Sequence, residues 1–301
     1  MSLRGTQVDC GVCPTTLARK LALVRIERES KNHGGTHIYD GVLDDLHAAI
    51  TERKDHEEAV DIVNHYADQL ERRGKWEEMK RLYRRAMGDL GNNFGRHHSS
   101  TLAITFRMGR LLRRMRQPDM AQKLYSQSLE GMDDRNPYQL YFSNELGVAY
   151  ADQYLLSEAE REFRKALRGF SKIGRPDHTW ASTAAINLSD VYLTQGRLDD
   201  AAIMLRLGLL GVVKDHGAPH AVIVSKAPRF IKMYEEYVRQ QRWDQARGVC
   251  EMALTTFEEV FGVHNKETLH VVWDLAQISK AQGQQRESQR LMKRAIEGLK
   301  G

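Results

Sequence analysis

A short stretch in the middle of the chain constrains the fold more than any other feature. Small residues recur there at Gly147, Ala159 and Ala166, at separations of twelve and then seven residues. Large side chains accompany them, at Leu146, Tyr150 and Phe163. Two short helices pack closely only where small side chains occupy the crossing points and larger neighbours fill the space beside them. The spacing therefore predicts an antiparallel pair of helices.

The same spacing recurs along most of the chain, which predicts about six helix pairs. The residues equivalent to Gly147, called markers below, are Ala67, Gly109, Gly147, Ser189, Tyr234 and Ala276, in steps of 42, 38, 42, 45 and 42 residues. Twelve residues after the markers lie Met79, Ala121, Ala159, Ala201, Ala246 and Ser288. Nineteen residues after them lie Ala86, Ser128, Ala166, Gly208, Ala253 and Ala295, which are all small. Gly74, Gly196 and Gly283 are placed where a first helix must turn into a second one, and glycine favours the left-handed cap that such a turn needs.

These residues resemble the tetratricopeptide repeat, and the longer period resembles its kinesin light chain type. The linkers between pairs also match, as Phe94-Gly95-Arg96-His97-His98 and Phe261-Gly262-Val263-His264-Asn265. The resemblance covers residues 57 to 299. It implies an all-α, right-handed superhelical solenoid of antiparallel helix pairs, whose first helices line a concave wall.

The chain divides into three parts by sequence pattern. Residues 1 to 13 show little periodicity and predict a flexible arm. Residues 14 to 54 predict two degenerate amino-terminal capping helices, since the ends of repeat arrays need covering. Residues 55 to 301 form the predicted solenoid.

Composition and charge restrict the classes of function. No apolar run is long enough to cross a bilayer, and three cysteines, an odd number, favour a reducing compartment such as the cytoplasm. Between Glu71 and Gln117 there are 13 lysines and arginines against 4 acidic residues, while the rest of the chain holds 32 basic and 36 acidic residues. The chain therefore has one basic zone and is not basic throughout.

Motifs for catalysis or metal binding are weak. Cys10 and Cys13 have redox or zinc spacing, but a single pair without further ligands is better explained as two thiols on the arm. His97, His98 and His264 lie in matching linkers, where they are expected to bond backbone groups at the start of the next helix. Cys250 is expected to fill the core. We predict no catalytic residue, no metal site and no cofactor.

The basic zone gives the main functional prediction. Positions two before, one after and five after a marker share one face of the first helix. In the second repeat these are Arg107, Arg110 and Arg114; Arg72 occupies the matching place in the first repeat, and Phe106 adds an apolar neighbour. Guanidinium groups bind carboxylates in a bidentate manner, so we expect an adaptor or scaffold whose groove captures an acidic partner segment. The alternative is that these arginines pair with Asp68 or Asp152 of neighbouring repeats, or lie on a solvated face.

Three asparagines add to the expected groove. Asn64, Asn144 and Asn187 lie two or three residues before their markers, and similar asparagines hold extended peptides in kinesin light chain repeats. The lysine and asparagine set that clamps chaperone tails is missing. Nucleic acid is not favoured as a partner, because the charge is local and aromatic residues do not interleave with it.

Other readings stay open at the level of sequence. The last helix, with Leu291, Ile296 and Leu299, either tolerates an uncovered face or packs on a second copy as a homodimer. An enzyme with a pocket lined by Tyr141, Asn144 and Asp190 is one alternative function, and a regulatory sensor is another.

Overall fold

The structure is a computed structural model that describes residues 44, 46–52, 55–133, 136–172, 179–216 and 227–300. Two compact units are present, residues 1–142 and 143–301. The predicted arm at 1–13, with Cys10 and Cys13, lies outside the described residues, as does most of the predicted cap. Of that cap, a short π-helix at Ala48–Glu52 packs against the first two α-helices, and Leu46, Ala49 and Ile50 are fully buried.

Apart from the π-helix, the regular elements of the described residues are all α-helices, and these residues contain no strand. In chain order the helices are α1 (His56–Arg72), α2 (Trp76–Phe94), α3 (Ser99–Arg114), α4 (Pro118–Leu129), α5 (Tyr138–Ala151), α6 (Leu156–Lys172), α7 (Thr179–Thr194), α8 (Leu198–His216), α9 (Ala227–Arg239), α10 (Trp243–Phe261), α11 (Lys266–Ala281) and α12 (Gln285–Lys300). Each odd-numbered helix carries one marker. The six predicted helix pairs and the all-α fold are confirmed.

Small residues lie where the helices cross, for the predicted reason. At Gly109 an added Cβ would approach the Tyr125 ring to 2.2 Å, and at Gly147 it would approach the Phe163 ring to 2.8 Å. Gly109 and Gly147 therefore have to be small, because the large side chain of the second helix lies directly against the backbone of the first. Ala121, Ala159 and Ala201 are fully buried at the matching positions of three second helices.

The turn inside each helix pair has one conformation in all six repeats. The residue seven after the marker is left-handed in each of them, at Gly74, Arg116, Tyr154, Gly196, Gln241 and Gly283. In the first repeat the Gly74 N–H donates to the Glu71 carbonyl at 3.0 Å, and the Lys75 N–H donates to the Leu70 carbonyl at 2.9 Å. The other five repeats have the same two hydrogen bonds at the equivalent residues. This is the Schellman arrangement that closes a helix carboxyl end. The three predicted glycines are confirmed, and three repeats adopt the same backbone without glycine.

The linkers between pairs repeat their hydrogen bonds as well as their sequence. Thr101 Oγ1 donates to the Gly95 carbonyl at 2.9 Å, and Thr268 Oγ1 donates to the Gly262 carbonyl at 3.0 Å. Both glycines have positive φ, +100° and +84°. A glycine therefore lets the chain turn, and a threonine of the next helix holds it there.

A polar clamp joins consecutive pairs in the second unit. The guanidinium carbon of Arg197 lies 4.2 Å from the centre of the Tyr192 ring, and both side chains hydrogen bond to Glu160 of the preceding pair, at 3.1 and 3.2 Å. The next pair repeats the clamp with Arg242, Tyr237 and Asp199; the Arg242 to ring distance is 4.9 Å and both hydrogen bonds are 2.8 Å.

Two details of the core test sequence expectations. Cys250 is buried with a free thiol among apolar side chains, and this burial raises the pKa of that thiol, as expected of a core residue. Leu291 was expected on the exposed face of α12, and this is wrong, because its side chain is 8% exposed and belongs to the core of the second unit. Ile296 and Leu299 are exposed as expected.

Candidate partner-binding site

The predicted arginines lie on exposed positions of two neighbouring first helices of the first unit. Arg107, Arg110 and Arg114 follow one another along α3, and Arg72 is the last residue of α1. All four side chains are exposed. The helices α1 and α3 pack against each other, so the four guanidinium groups belong to one surface, called the arginine face below.

Arg114 is already engaged inside the unit. Its guanidinium forms an ion pair with Glu71 of α1 and lies 4.7 Å from the centre of the Trp76 ring. This matches the alternative in which arginines pair with a neighbouring repeat, although the partner is Glu71 and not Asp68. Arg114 is therefore a less available ligand for an external carboxylate than the other three.

The remaining arginines keep their charge available. Arg72 donates only to the backbone carbonyl of Asp68, at 3.3 Å, and Arg110 lies 5.9 Å from the Phe106 ring. Arg107 donates a hydrogen bond to the neutral side chain of Tyr83. This bond acts to lower the pKa of Tyr83, whereas burial, the larger effect, raises it. Among the residues that the structure describes, none of these three guanidinium groups forms an ion pair.

Phe106 lies at the base of the arginine face. Its half-buried ring packs edge-on against Phe142 with centres 6.2 Å apart, and its carbonyl accepts a hydrogen bond from Tyr125. The exposed part of the ring lies beside the Arg110 guanidinium. An apolar side chain of a partner would therefore find a fixed ring among three cations.

A cavity on the same helices has the opposite charge, and sequence reasoning missed it. It has a volume of about 280 Å³ and lies near the amino ends of α1 and α3, lined by Glu57, Val60, Asp61, Ser99, Ser100, Ala103 and Tyr138. Both of its carboxylates belong to α1, about four and three turns before Arg72 on the same helix. The spacing of Glu57 and Asp61, four residues apart, is the sequence signal that could have found it.

The three predicted asparagines do not form one row. Asn64 belongs to the first unit, where its Oδ1 is buried and lacks a hydrogen-bond partner in the described structure. Asn144 and Asn187 belong to the second unit, where Asn187 Nδ2 donates to Asn144 Oδ1 at 3.3 Å. Asn144 is completely buried, so of these two asparagines only Asn187 is accessible to a ligand.

The residues of the enzyme alternative are engaged in structural contacts. Asp190 accepts two hydrogen bonds from Arg229, at 2.6 and 2.5 Å, and is therefore held in an ion pair. Asn144 is buried against Asn187. Within the described ranges no group of three or more histidine, cysteine, aspartate or glutamate side chains is placed to hold a metal ion.

The linker histidines have separate roles. His98 caps α3, since its Nδ1 accepts from the Ser100 N–H at 3.3 Å, as expected. The same expectation is wrong for the other two histidines: His97 accepts from the Arg96 side chain, Nε, at 3.1 Å, and the residue that caps α11 is Asn265, not His264. No described helix is long and apolar enough to span a bilayer.

The comparisons with known proteins agree with this fold. The family model of the tetratricopeptide repeat matches residues 59–134 and 140–209. No curated protein sequence matches the chain. Among solved structures, the apo form of RapI is 14% identical, covers 94% of this chain and 98% of its own, and has a TM-score of 0.53.

Two further structures are similar at lower TM-scores. Kinesin light chain-like TPR repeats from Podosopora anserina are 19% identical over 67% of this chain and 96% of their own, with a TM-score of 0.48. The apo quorum sensor NprR from B. thuringiensis is 14% identical over 94% of this chain and 74% of its own, with a TM-score of 0.45. At these identities the likeness concerns the fold alone. Six helix pairs with one turn geometry, together with the family match, identify the chain as a tetratricopeptide repeat protein.

Proposed function

We propose that this protein is an adaptor or scaffold of the cytoplasm, and that its first unit binds an acidic segment of a partner protein on the arginine face. The observation that carries the proposal is the exposed set Arg72, Arg107 and Arg110, which forms no ion pair among the described residues. Repeat proteins of stacked helix pairs bind partners along the surface made by successive repeats. The fold therefore supplies the surface, and the charge selects the partner.

The contacts of the arginine face suggest how a segment would bind. Glutamate or aspartate side chains of the partner would pair with Arg107 and Arg110 of α3 and with Arg72 of α1, because planar guanidinium groups fit carboxylates in a bidentate manner. An apolar side chain would pack on Phe106. Glu57 and Asp61 in the cavity would repel further acidic residues, which limits the acidic part to the carboxyl halves of both helices.

The three asparagines would contribute to binding of the segment in different ways. Asn64 and Asn187 are partly exposed and would hold the backbone of the bound segment through their amides. Asn144 would act indirectly, by accepting from Asn187 Nδ2 and thereby fixing the orientation of that amide. Arg114, held by Glu71, adds positive potential more than direct contact.

A peptide titration tests the proposal. The probe is a fluorescein-labelled 15-residue peptide that contains Glu and Asp around one Phe, and its lysine-substituted counterpart serves as the reference. We expect the R72Q/R107Q/R110Q variant to bind the acidic peptide about tenfold more weakly, since three exposed pairs at about 0.5 kcal/mol each correspond to that ratio. Thermal unfolding should be unchanged.

The matched control removes the same charge from second helices of the same unit. Arg81 and Arg84 of α2 and Lys123 of α4 are all exposed, and the R81Q/R84Q/K123Q variant should retain affinity within about twofold. Equal losses in both variants would show that only net charge matters and would defeat the proposal. A phosphorylated peptide or an oligonucleotide that outcompetes the acidic peptide would reassign the face to that ligand.

We also propose dimerisation through α12 as a second, smaller role. Ile296 and Leu299 are 42% and 48% exposed, which is unusual for large apolar side chains at the end of a repeat array. The burial of Leu291 reduces the available area. Light scattering at micromolar concentration should show a mass near twice that of the chain, and an I296E/L299E variant should be monomeric; a monomeric wild-type protein would end this proposal.

A further inference from the structure

A second surface with different chemistry lies on first helices of the second unit. Ile231 of α9 and Trp273 of α11 are 50% and 40% exposed. Both lie three residues before their markers, the position that Phe106 has in the first unit. Consecutive first helices thus expose a large apolar side chain at the same register position, and no described element covers either one.

Two carboxylates flank this apolar face and approach one another. Asp274 of α11 lies close enough to Glu235 of α9 to be affected by its charge, and the charges of both carboxylates act on Tyr234. Neither carboxylate forms an ion pair with a described residue. We call Ile231, Glu235, Trp273 and Asp274 the aromatic-acidic face.

The preceding repeat has an ion pair at the equivalent junction. There Asp190, one residue after its marker, is paired by Arg229, five residues before the next marker. Glu235 also lies one residue after its marker, but the position that matches Arg229 is Val271. The cation is therefore missing from this junction, and a second carboxylate, Asp274, faces the first.

Nearby groups do not replace the missing cation. His270 precedes Asp274 by one turn of α11 and is exposed, and its charge acts to lower the Asp274 pKa. Burial is the larger effect and raises the pKa of Asp274 to about 6. Lys232 is exposed on α9 and has no ion pair in the described structure. Two like charges held together beside a half-buried site are unfavourable for the free protein unless a ligand brings the opposite charge.

We propose that the aromatic-acidic face binds a partner segment that carries a lysine or arginine next to an apolar residue. The cationic group would lie between Glu235 and Asp274, and its aliphatic stem would pack on the Trp273 ring, which is the aromatic face that cations prefer. The apolar neighbour would contact Ile231. Like-charge repulsion excludes the acidic segment that we propose for the first unit, so this chain would present two sites for partners of opposite charge.

The test uses the full chain and a defined probe. A fluorescein-labelled 12-residue peptide with alternating Arg and Leu is titrated by anisotropy, beside a peptide in which Glu replaces Arg and one in which Ser replaces Leu. We expect E235Q/D274N and W273A each to weaken binding of the Arg-Leu peptide at least tenfold, and both altered peptides to bind as weakly to the unaltered protein.

Matched controls change the same groups elsewhere in the second unit. Glu259 of α10 and Glu297 of α12 provide two carboxylates on second helices, and Tyr154 provides an aromatic side chain that is 80% exposed at a turn. The E259Q/E297Q and Y154A variants should keep full affinity. The V271R variant should weaken binding as well, because it supplies the cation that Arg229 provides in the preceding repeat.

Several outcomes would overturn the inference. Unchanged affinity in E235Q/D274N and in W273A would show that the peptide binds elsewhere, for instance at the Glu57 and Asp61 cavity. Loss in W273A alone, with the Glu-Leu peptide binding equally well, would leave an apolar face without charge selection. The R72Q/R107Q/R110Q variant should bind the Arg-Leu peptide normally, which separates this result from the test of the first unit.

Discussion

His98 and Asn265 perform the same task in two repeats whose linkers match. His98 Nδ1 accepts a hydrogen bond from the Ser100 N–H at 3.3 Å, and Asn265 Oδ1 accepts one from the Glu267 N–H at 2.9 Å. An amide and an imidazole thus cap α11 and α3 in the same way, but only the imidazole loses its acceptor when it is protonated. The two caps differ in their response to acid.

The protein should become less stable as the pH is lowered, because His98 then loses its capping hydrogen bond. Burial and the nearby His56, whose ring centre lies 4.6 Å away, hold the pKa of His98 below its usual value. The folded state therefore binds a proton less readily than the unfolded state, and the contribution of the cap is complete above about pH 6.5 and is lost as the pH falls below it. We expect the melting temperature of the H98N variant to depend less on pH between 7.5 and 5.5 than that of the unaltered protein.

The control for this experiment is H97N, which removes a histidine that does not cap the helix. Its pH dependence should follow that of the unaltered protein. If H98N and H97N behave alike, the cap is not the group that responds to acid.

The left-handed turns offer a second test. Arg116, Tyr154 and Gln241 have φ values of 60°, 59° and 57°, where side chains other than glycine are strained. R116G and Q241G should raise the free energy of unfolding by about 0.5 to 1 kcal/mol, and G74A and G196A should lower it by about 1 kcal/mol. Urea denaturation measures both sets, and stabilisation by G74A would contradict the shared turn geometry.

Helix crossings predict a much larger effect at one glycine than at another. Gly109 lies under the Tyr125 ring, so G109A should cost about 3 kcal/mol or more. Gly248 of α10 has no atom within 4 Å of an added Cβ, and G248A should stabilise by about 0.5 to 1 kcal/mol. A Y125L change should recover part of the G109A loss, measured as a double-mutant cycle.

Asp274 should destabilise the free protein at neutral pH. Its pKa is raised to about 6 by burial, so the folded state binds a proton more readily than the unfolded state, whose pKa is near 3.9. The unfavourable contribution is complete above about pH 6 and disappears as the pH falls towards 4. Because the side chain is partly exposed, we expect D274N to stabilise by about 1 kcal/mol at pH 7.5 and by much less at pH 4.5. Calorimetry at both values measures the difference, and a pH-independent effect would contradict this assignment.

Most of the fold could be predicted from the sequence because packing restricts residue size at fixed intervals. Gly147 and Ala159 predict a crossing since any larger side chain would meet Phe163 or its equivalents. The turns at Arg116, Tyr154 and Gln241 escaped prediction because a tertiary arrangement can hold a non-glycine residue in the left-handed region. Leu291 was misplaced because the sequence alone does not show how much of the last helix the preceding one covers.

The candidate site was less predictable, since the partners of charged side chains depend on rotamers and on neighbouring helices. Arg107 and Arg110 were correctly expected to be exposed, but the pairing of Arg114 with Glu71 depends on a residue 43 positions away. The proximity of Glu235 to Asp274 likewise depends on how the first helices of two consecutive repeats are placed. Aligning the repeats on their markers would have shown that Val271 stands where Arg229 supplies a cation.

The clamps of Arg197 and Arg242 have a consequence for how the second unit opens. Each one ties the end of a first helix to a carboxylate of the repeat before it, so unravelling a single repeat also breaks contacts of its neighbour. In a linear array such nearest-neighbour coupling makes adjacent repeats exchange their amide hydrogens as one cooperative block instead of fraying one by one.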